Sequence, residues 1–265
     1  DLVLVWRYAC SQLNIDSSKC SFLLCVPEYI TREDQEQIKR IFWNEFSALD
    51  VSVITEAISV ASLCDKSTSL VIDCGSSGAR IIPVVDMKVL SQCTTRYMFG
   101  GYQADSYMAR LLQESGYSFT TSSEIQLVKE IREENCYVSQ DFAEESQKEI
   151  LAPVECPLPD GQSVSLTKET FQCMEPFFIF FLVGIDEKGL HHQILRTLMQ
   201  CPTSVRRSLL ETIILVGGIS KVSGFLERLG KELAGITPKG TVVKFFAAPN
   251  REELSWVGAL HARKQ

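Results

Sequence analysis

The stretch SLVIDCGSSGARIIPVV, Ser69 to Val85, decides how this chain is read. An apolar run ends in Asp73, four small residues follow with Gly75 and Gly78 at their ends, and a second apolar run begins. Two buried strands joined by a tight turn account for that pattern. The turn itself has two readings. Free backbone N–H groups over Gly75, Ser76, Ser77 and Gly78 can cradle an anion such as a phosphate. Asp73 would then hold a magnesium ion, usually through water, because a hard cation takes oxygen ligands. In the plainer reading the turn is an ordinary hairpin connection and Asp73 an Asx-type turn residue.

Outward from this stretch, strand-like and helix-like segments alternate. SFLLCV (Ser21 to Val26) reads as a buried strand, and Thr31-Arg-Glu-Asp opens a helix to about Phe46, with Ile38, Ile41, Phe42 and Phe46 on one stripe. Val51 to Ile54 is a short strand and Glu56 to Leu63 a short helix. Beyond Ser69–Val85, helices are expected over Asp105–Glu114 and from the Thr121-x-x-Glu124 capping box to Asn135. Val154 to Leu166 alternates around a PDG turn, the signature of a hairpin. Helices follow at Leu190–Met199 and Ser204–Leu210, a strand at Thr212–Val216, a helix at Ser223–Ala234, a strand at Thr241–Phe246 and a closing helix at Glu252–Ala262. The alternation predicts an α/β layered sheet with helices on its faces. ETIILVGGISKVSGFLERL repeats the strand, glycine and helix arrangement at Gly217-Gly218, where a ligand can lie against bare backbone near a helix start. Two such turns in one α/β chain suggest a nucleotide cleft.

Bulk properties exclude other classes. With 265 residues, 45% of them hydrophobic, the chain can bury one large core or two modest ones. Its net charge of -7 and the lack of any basic cluster beyond a pair or the short tail HARKQ argue against nucleic acid as a direct partner. The most apolar piece, PFFIFFLVGI, falls well short of the roughly 20 residues of a membrane span, so no membrane partner is expected. The ten cysteines include no CxxC pair, and several, such as Cys25, Cys74 and Cys136, sit inside apolar runs, as in a reduced compartment. The adjacent His191 and His192 cannot share one helical face as metal ligands. The acidic runs Glu130 to Glu134 and Glu144-Glu145 read as solvated helix faces.

Four blocks, GYSFTTSSEIQLVKEIREENCYVSQDF, LPDGQSVSLTKETFQCMEPFF, LVGGISKVSGFLERL and APNREELSWVGAL, occur in the order and spacing of the actin family. The chain resembles an actin-related protein over nearly its whole length. That resemblance implies two ribonuclease H-like halves with ATP or ADP and magnesium in the cleft between them. Residues 1–68 would form a partial first actin-like domain, completed by 248–265, and residues 69–247 a complete second one. The first half is expected to be cut short, beginning at the Trp6 helix, without the first phosphate hairpin or the small projecting subdomain.

Matched to the family's pocket, Asp73 and Gly75, with Ser76 and Ser77 beside them, fall on the second phosphate loop. Arg132 and Glu133 fall on the Lys-Glu pair flanking the adenosine, and Gly217-Gly218 on the glycine pair beneath it. Other positions depart. Glu56 stands where actins carry the glutamine that orients the attacking water, Ser76 replaces a second acid, Ile219 and Val222 replace a threonine and a tyrosine, and Glu252 replaces a lysine against the base. A carboxylate at Glu56 beside a γ-phosphate is unfavourable, since like unit charges about 4 Å apart repel by about 4 kcal/mol at an effective dielectric of about 20. Losing the water-positioning amide removes a transition-state contact as well. The expectation is therefore a degenerate cleft and no catalytic residue.

Function then falls to surfaces. Phe177, Phe178, Phe180 and Phe181 form either an interface or ordinary core. The segment QCPTSVRRSLLETIILVGGISKVSGFLERL is most similar to the actin-related subunit at the pointed end of dynactin, whereas GYSFTT is nearer conventional actin. The reading is a non-catalytic structural subunit of a cytoplasmic cytoskeletal assembly such as dynactin, its partners other actin-fold subunits. The alternatives are a polymerising ATPase and an actin-related subunit of a nuclear chromatin-remodelling complex.

Overall fold

Hairpin chemistry at Gly75–Gly78 sets the topology. The computed structural model describes residues 2–148 and 152–262, so only His261 and Ala262 of the HARKQ tail fall within it. In chain order the elements are α1 (Leu2–Gln12), β1 (Ser21–Val26), α2 (Arg32–Phe46), β2 (Asp50–Thr55), α3 (Glu56–Leu63), β3 (Ser69–Cys74) and β4 (Ala79–Val85). Next come β5 (Lys88–Val89), β6 (Thr95–Tyr97), α4 (Gly101–Glu114), α5 (Ser122–Asn135), α6 (Phe142–Ser146), β7 (Val154–Pro157), β8 (Ser163–Leu166) and α7 (Glu169–Gln172). The chain continues through α8 (Leu190–Gln200), α9 (Thr203–Leu210), β9 (Ile213–Val216), α10 (Phe225–Ile236), β10 (Phe245–Phe246) and α11 (Leu254–Ala262).

Three sheets result. The largest runs β10-β9-β3-β4-β5, with β6 also on β4. Within it β3 is antiparallel to β4 and parallel to β9. The parallel pair β1–β2, joined through α2, forms a second sheet, and the hairpin β7–β8 a third. Side-chain alternation divides the faces of the large sheet. Leu70, Ile72 and Cys74 of β3 point into the main core with Met108, Phe177, Leu198 and Phe225, while Val71, Ile82, Val84 and Ile214 pack on Ala57, Val60 and Ala61 of α3. A third cluster, Phe42, Phe46 and Val51, holds α2 on β1–β2, with Trp6 of α1 against Phe42 at a 4.8 Å centroid separation. Helices α3 and α11 pack on each other and touch both the large sheet and β1, so they form the layer shared by the two sheets.

Several elements follow from local chemistry. Thr31 caps α2 and Thr121 caps α5, each in a reciprocal box with an acid three residues on. The structure corrects other expectations. Helix α4 begins at Gly101, four residues before Asp105, because the turn carbonyls of Gly75 and Ser76 accept from the N–H groups of Gly101 and Tyr102 and so extend its first turn. The strand expected over Thr241–Phe246 contracts to Phe245–Phe246, the only two residues in register with β9. Of the four-phenylalanine run, Phe177, Phe178 and Phe180 are core, and Phe181 alone is open to solvent, at 77% exposure. The acid-rich turn of α5 exposes Glu130, Glu133 and Glu134 and buries Ile131 and Arg132 between them. All ten cysteines are free thiols, six of them buried. No helix among the described residues is long and apolar enough to cross a membrane.

Candidate functional site

Alternation along β3 turns Asp73 to the same face as Val71, the face that packs on α3. On β4 the same period puts Arg80 with Ile82 and Val84, and the hairpin register sets Asp73 directly opposite Arg80. Helix α3 opens with Glu56 at this point, and the turn after β1 brings in Glu28. The Arg80 guanidinium consequently meets three carboxylates. It is ion-paired with Asp73 and with Glu56, and its Nη1 lies 3.3 Å from Glu28 Oε2. The other Glu28 oxygen accepts from the Ala57 N–H in the first turn of α3, at 2.6 Å. Burial raises the Glu28 carboxyl above its ordinary pKa, the Ala57 N–H and Arg80 opposing the rise. For Arg80, burial works against the charge, but Asp73, Glu56 and Glu28 outweigh it and hold the guanidinium protonated.

The second glycine turn leaves β9, whose Val216 is in register with Asp73 on β3. The two turns therefore emerge side by side. Gly217 has a φ of +90°, and a Cβ there would run into the Cys74 carbonyl and the Asp73 carboxylate, so the approach requires glycine. The turn is fixed from behind by Arg251, which donates to the Ser220 carbonyl at 2.7 Å and to its hydroxyl at 3.0 Å, while the Arg251 carbonyl accepts from Gly217 N–H at 3.1 Å.

Between the turns and α5 lies a cleft of about 560 Å³. It brings together Ser76, Arg132, Glu133, Gly218, Ile219, Val222 and Glu252 of the residues the sequence singled out. Asp73, Gly75, Ser77 and Gly217 belong to the same turns without lining it, and Glu56 stands apart on Arg80. Arg132, only 2% exposed, is committed: its Nε donates to Asp105 at 2.6 Å. Burial raises the Asp105 carboxyl and the Arg132 hydrogen bond counteracts it. Glu252 is ion-paired with Lys221 across the mouth. The lining thus carries the acids Asp105, Glu133, Glu134 and Glu252 against Lys129, Arg132 and Lys221, and offers no net attraction to a polyphosphate.

Sequence reasoning did not reach Arg80, Glu28, Asp105, Lys221 or Arg251. For Arg80 the signal was available: two strands closed by Gly75–Gly78 set position 80 opposite position 73. Glu28 and Asp105 arrive through packing between elements far apart in the chain, which no local pattern records.

An α/β chain whose central strands each end in a glycine turn beside one cleft has the architecture of a nucleotide-cleft protein. The family model for actin matches residues 2–261, and the chain belongs to the actin family. A curated relative, centractin of Schizosaccharomyces pombe, is 28% identical over 263 residues, which is 97% of this chain and 69% of that protein. Actins in general are ATPase-like, and the family implies an adenine nucleotide with a divalent cation here. The residues present do not fit the cation. Asp73 is engaged by a guanidinium, and Ser76 has no carboxylate to stand beside it. For the nucleotide, the cleft has the volume of a small-molecule pocket, and of its basic residues Arg132 and Lys221 are ion-paired, leaving no excess of positive charge over the lining acids.

Proposed function

We propose that this chain is a non-catalytic actin-related protein, a structural subunit of a cytoplasmic cytoskeletal assembly of the dynactin type. The observation that carries the reading is the Arg80 cluster: Glu56, the residue at the water-orienting position, and Asp73, the candidate metal acid, are both consumed by one internal guanidinium. An ion-paired Glu56 is neither an amide that orients water nor a free base that deprotonates it. Under this reading the contact positions Ser76, Arg132, Glu133, Gly218 and Ile219, with Asp73, Gly75, Ser77 and Gly217 behind them, are remnants of an ATP or ADP site. The division into a partial first domain (1–68 with 248–265) and a second one (69–247) draws support from the separate β1–β2 sheet and from the packing of α11 on α3. The likeness to centractin supports the cytoskeletal placement and partners with the actin fold. The cleft volume is the one observation that favours the competing reading, a polymerising ATPase.

Fractionating cells and weighing the native particle tests the assembly claim. The expected result is co-migration with other actin-fold subunits in one large cytoplasmic complex. A nuclear particle, or filaments grown from the purified chain with ATP, would overturn it.

A further inference from the structure

We propose that Arg80 is a built-in clamp that does for this chain what a ligand between two halves does in the family: it holds the two sheets closed with no nucleotide and no divalent cation. The geometry supports this from four directions. Arg80 and Asp73 belong to the large sheet, on β4 and β3. Glu28 leaves β1 of the two-stranded sheet, and Glu56 starts α3, the helix packed between the sheets. One guanidinium touches all three carboxylates, and Glu28 also accepts from the α3 backbone at Ala57, so displacing any one of the elements breaks a charged contact. The Arg80 side chain is 17% exposed and Glu28 4%, which keeps most water and salt away from the charges. A fixed planar fork suits this task, because it reaches several carboxylates at once where a divalent ion would need Asp73 free. The inference rests on the degenerate cleft proposed above, and the two can fail separately.

Thermal unfolding of the whole chain decides it, measured with a chelator, with magnesium, and with magnesium plus ATP. For the unchanged protein the midpoint is expected to agree within about 1 °C across all three, since a ligand that binds only the folded state would raise it. Arg80→Met leaves three carboxylates facing one another and should lower the midpoint by about 5 °C in chelator. Magnesium should restore most of that loss, a response no merely structural arginine would give. Arg80→Lys keeps the charge but reaches fewer oxygens, and is expected to fall between the two and stay insensitive to chelator; it serves as the reading if Arg80→Met does not fold. A chelator-sensitive wild type, an ATP-dependent rise of several degrees, or an Arg80→Met midpoint equal to wild type without magnesium would overturn the clamp. ATP turnover by a chelator-insensitive wild type would instead sink the non-catalytic reading and leave the clamp standing.

Discussion

At the scale of single residues, Glu56 shows how one neighbour changes what an acid means. Taken alone it is an acid where the resemblance expects a glutamine; set against Arg80 it becomes half of an ion pair. Gly217 is decided by backbone alone. Its φ of +90° and the crowding against Cys74 and Asp73 predict that Gly217→Ala destabilises the protein by about 2–3 kcal/mol, read from the urea midpoint. His191 titrates by its surroundings. Burial lowers its pKa from 6.5 to about 4, the neighbouring His192 adds to the lowering, and Glu232, 4.0 Å away, opposes it. The folded state therefore binds this proton less readily than the unfolded chain. Stability from this source is complete above pH 6.5 and is lost as the pH falls towards about 4. Replacing the ring with an apolar one, His191→Phe, should flatten the acid limb of the stability profile over that window, as measured by urea unfolding at a series of pH values.

At the scale of elements, buried charge does more than local propensity to fix the helices around the main core. Arg228 of α10 meets Glu175, which is 0% exposed, through two hydrogen bonds of 2.8 and 3.2 Å, and it also donates to the Ser139 carbonyl at 2.6 Å. Arg228→Met strands the Glu175 carboxylate and is expected to cost about 3–5 kcal/mol, whereas the pair Arg228→Met with Glu175→Leu recovers much of the loss. A double-mutant cycle in guanidinium checks this. Elements of this kind differ in how far the sequence reveals them. Helices α2 and α5 announce themselves through caps and an apolar stripe, and the β3–β4 hairpin through its glycine-bounded turn, because those signals are local. The short strands β5 and β6 carry no period of their own and exist because β4 offers an edge. Thr241–Lys244 has the residues of a strand but no partner in register, so only Phe245 and Phe246 pair. The candidate site divides the same way: the glycine turns are visible as motifs, while Glu28, Asp105 and the ion pair of Lys221 with Glu252 depend on contacts between distant segments.

At the scale of the whole molecule, the actin fold supplies a sheet edge with two glycine turns and a cleft, and this chain places internal ion pairs beside them. Asp73 faces Arg80, Arg132 faces Asp105 and Glu252 faces Lys221, so these side chains are paired from within. Under the proposed reading such a molecule keeps the shape of its family without the reaction, which suits a subunit that acts through its surface. The most direct measurement is ATP binding and turnover by the full-length protein with magnesium, run beside Asp73→Ala. No turnover above the level of the denatured protein, unchanged by Asp73→Ala, is expected; magnesium-dependent turnover that disappears with Asp73→Ala would contradict a non-catalytic role.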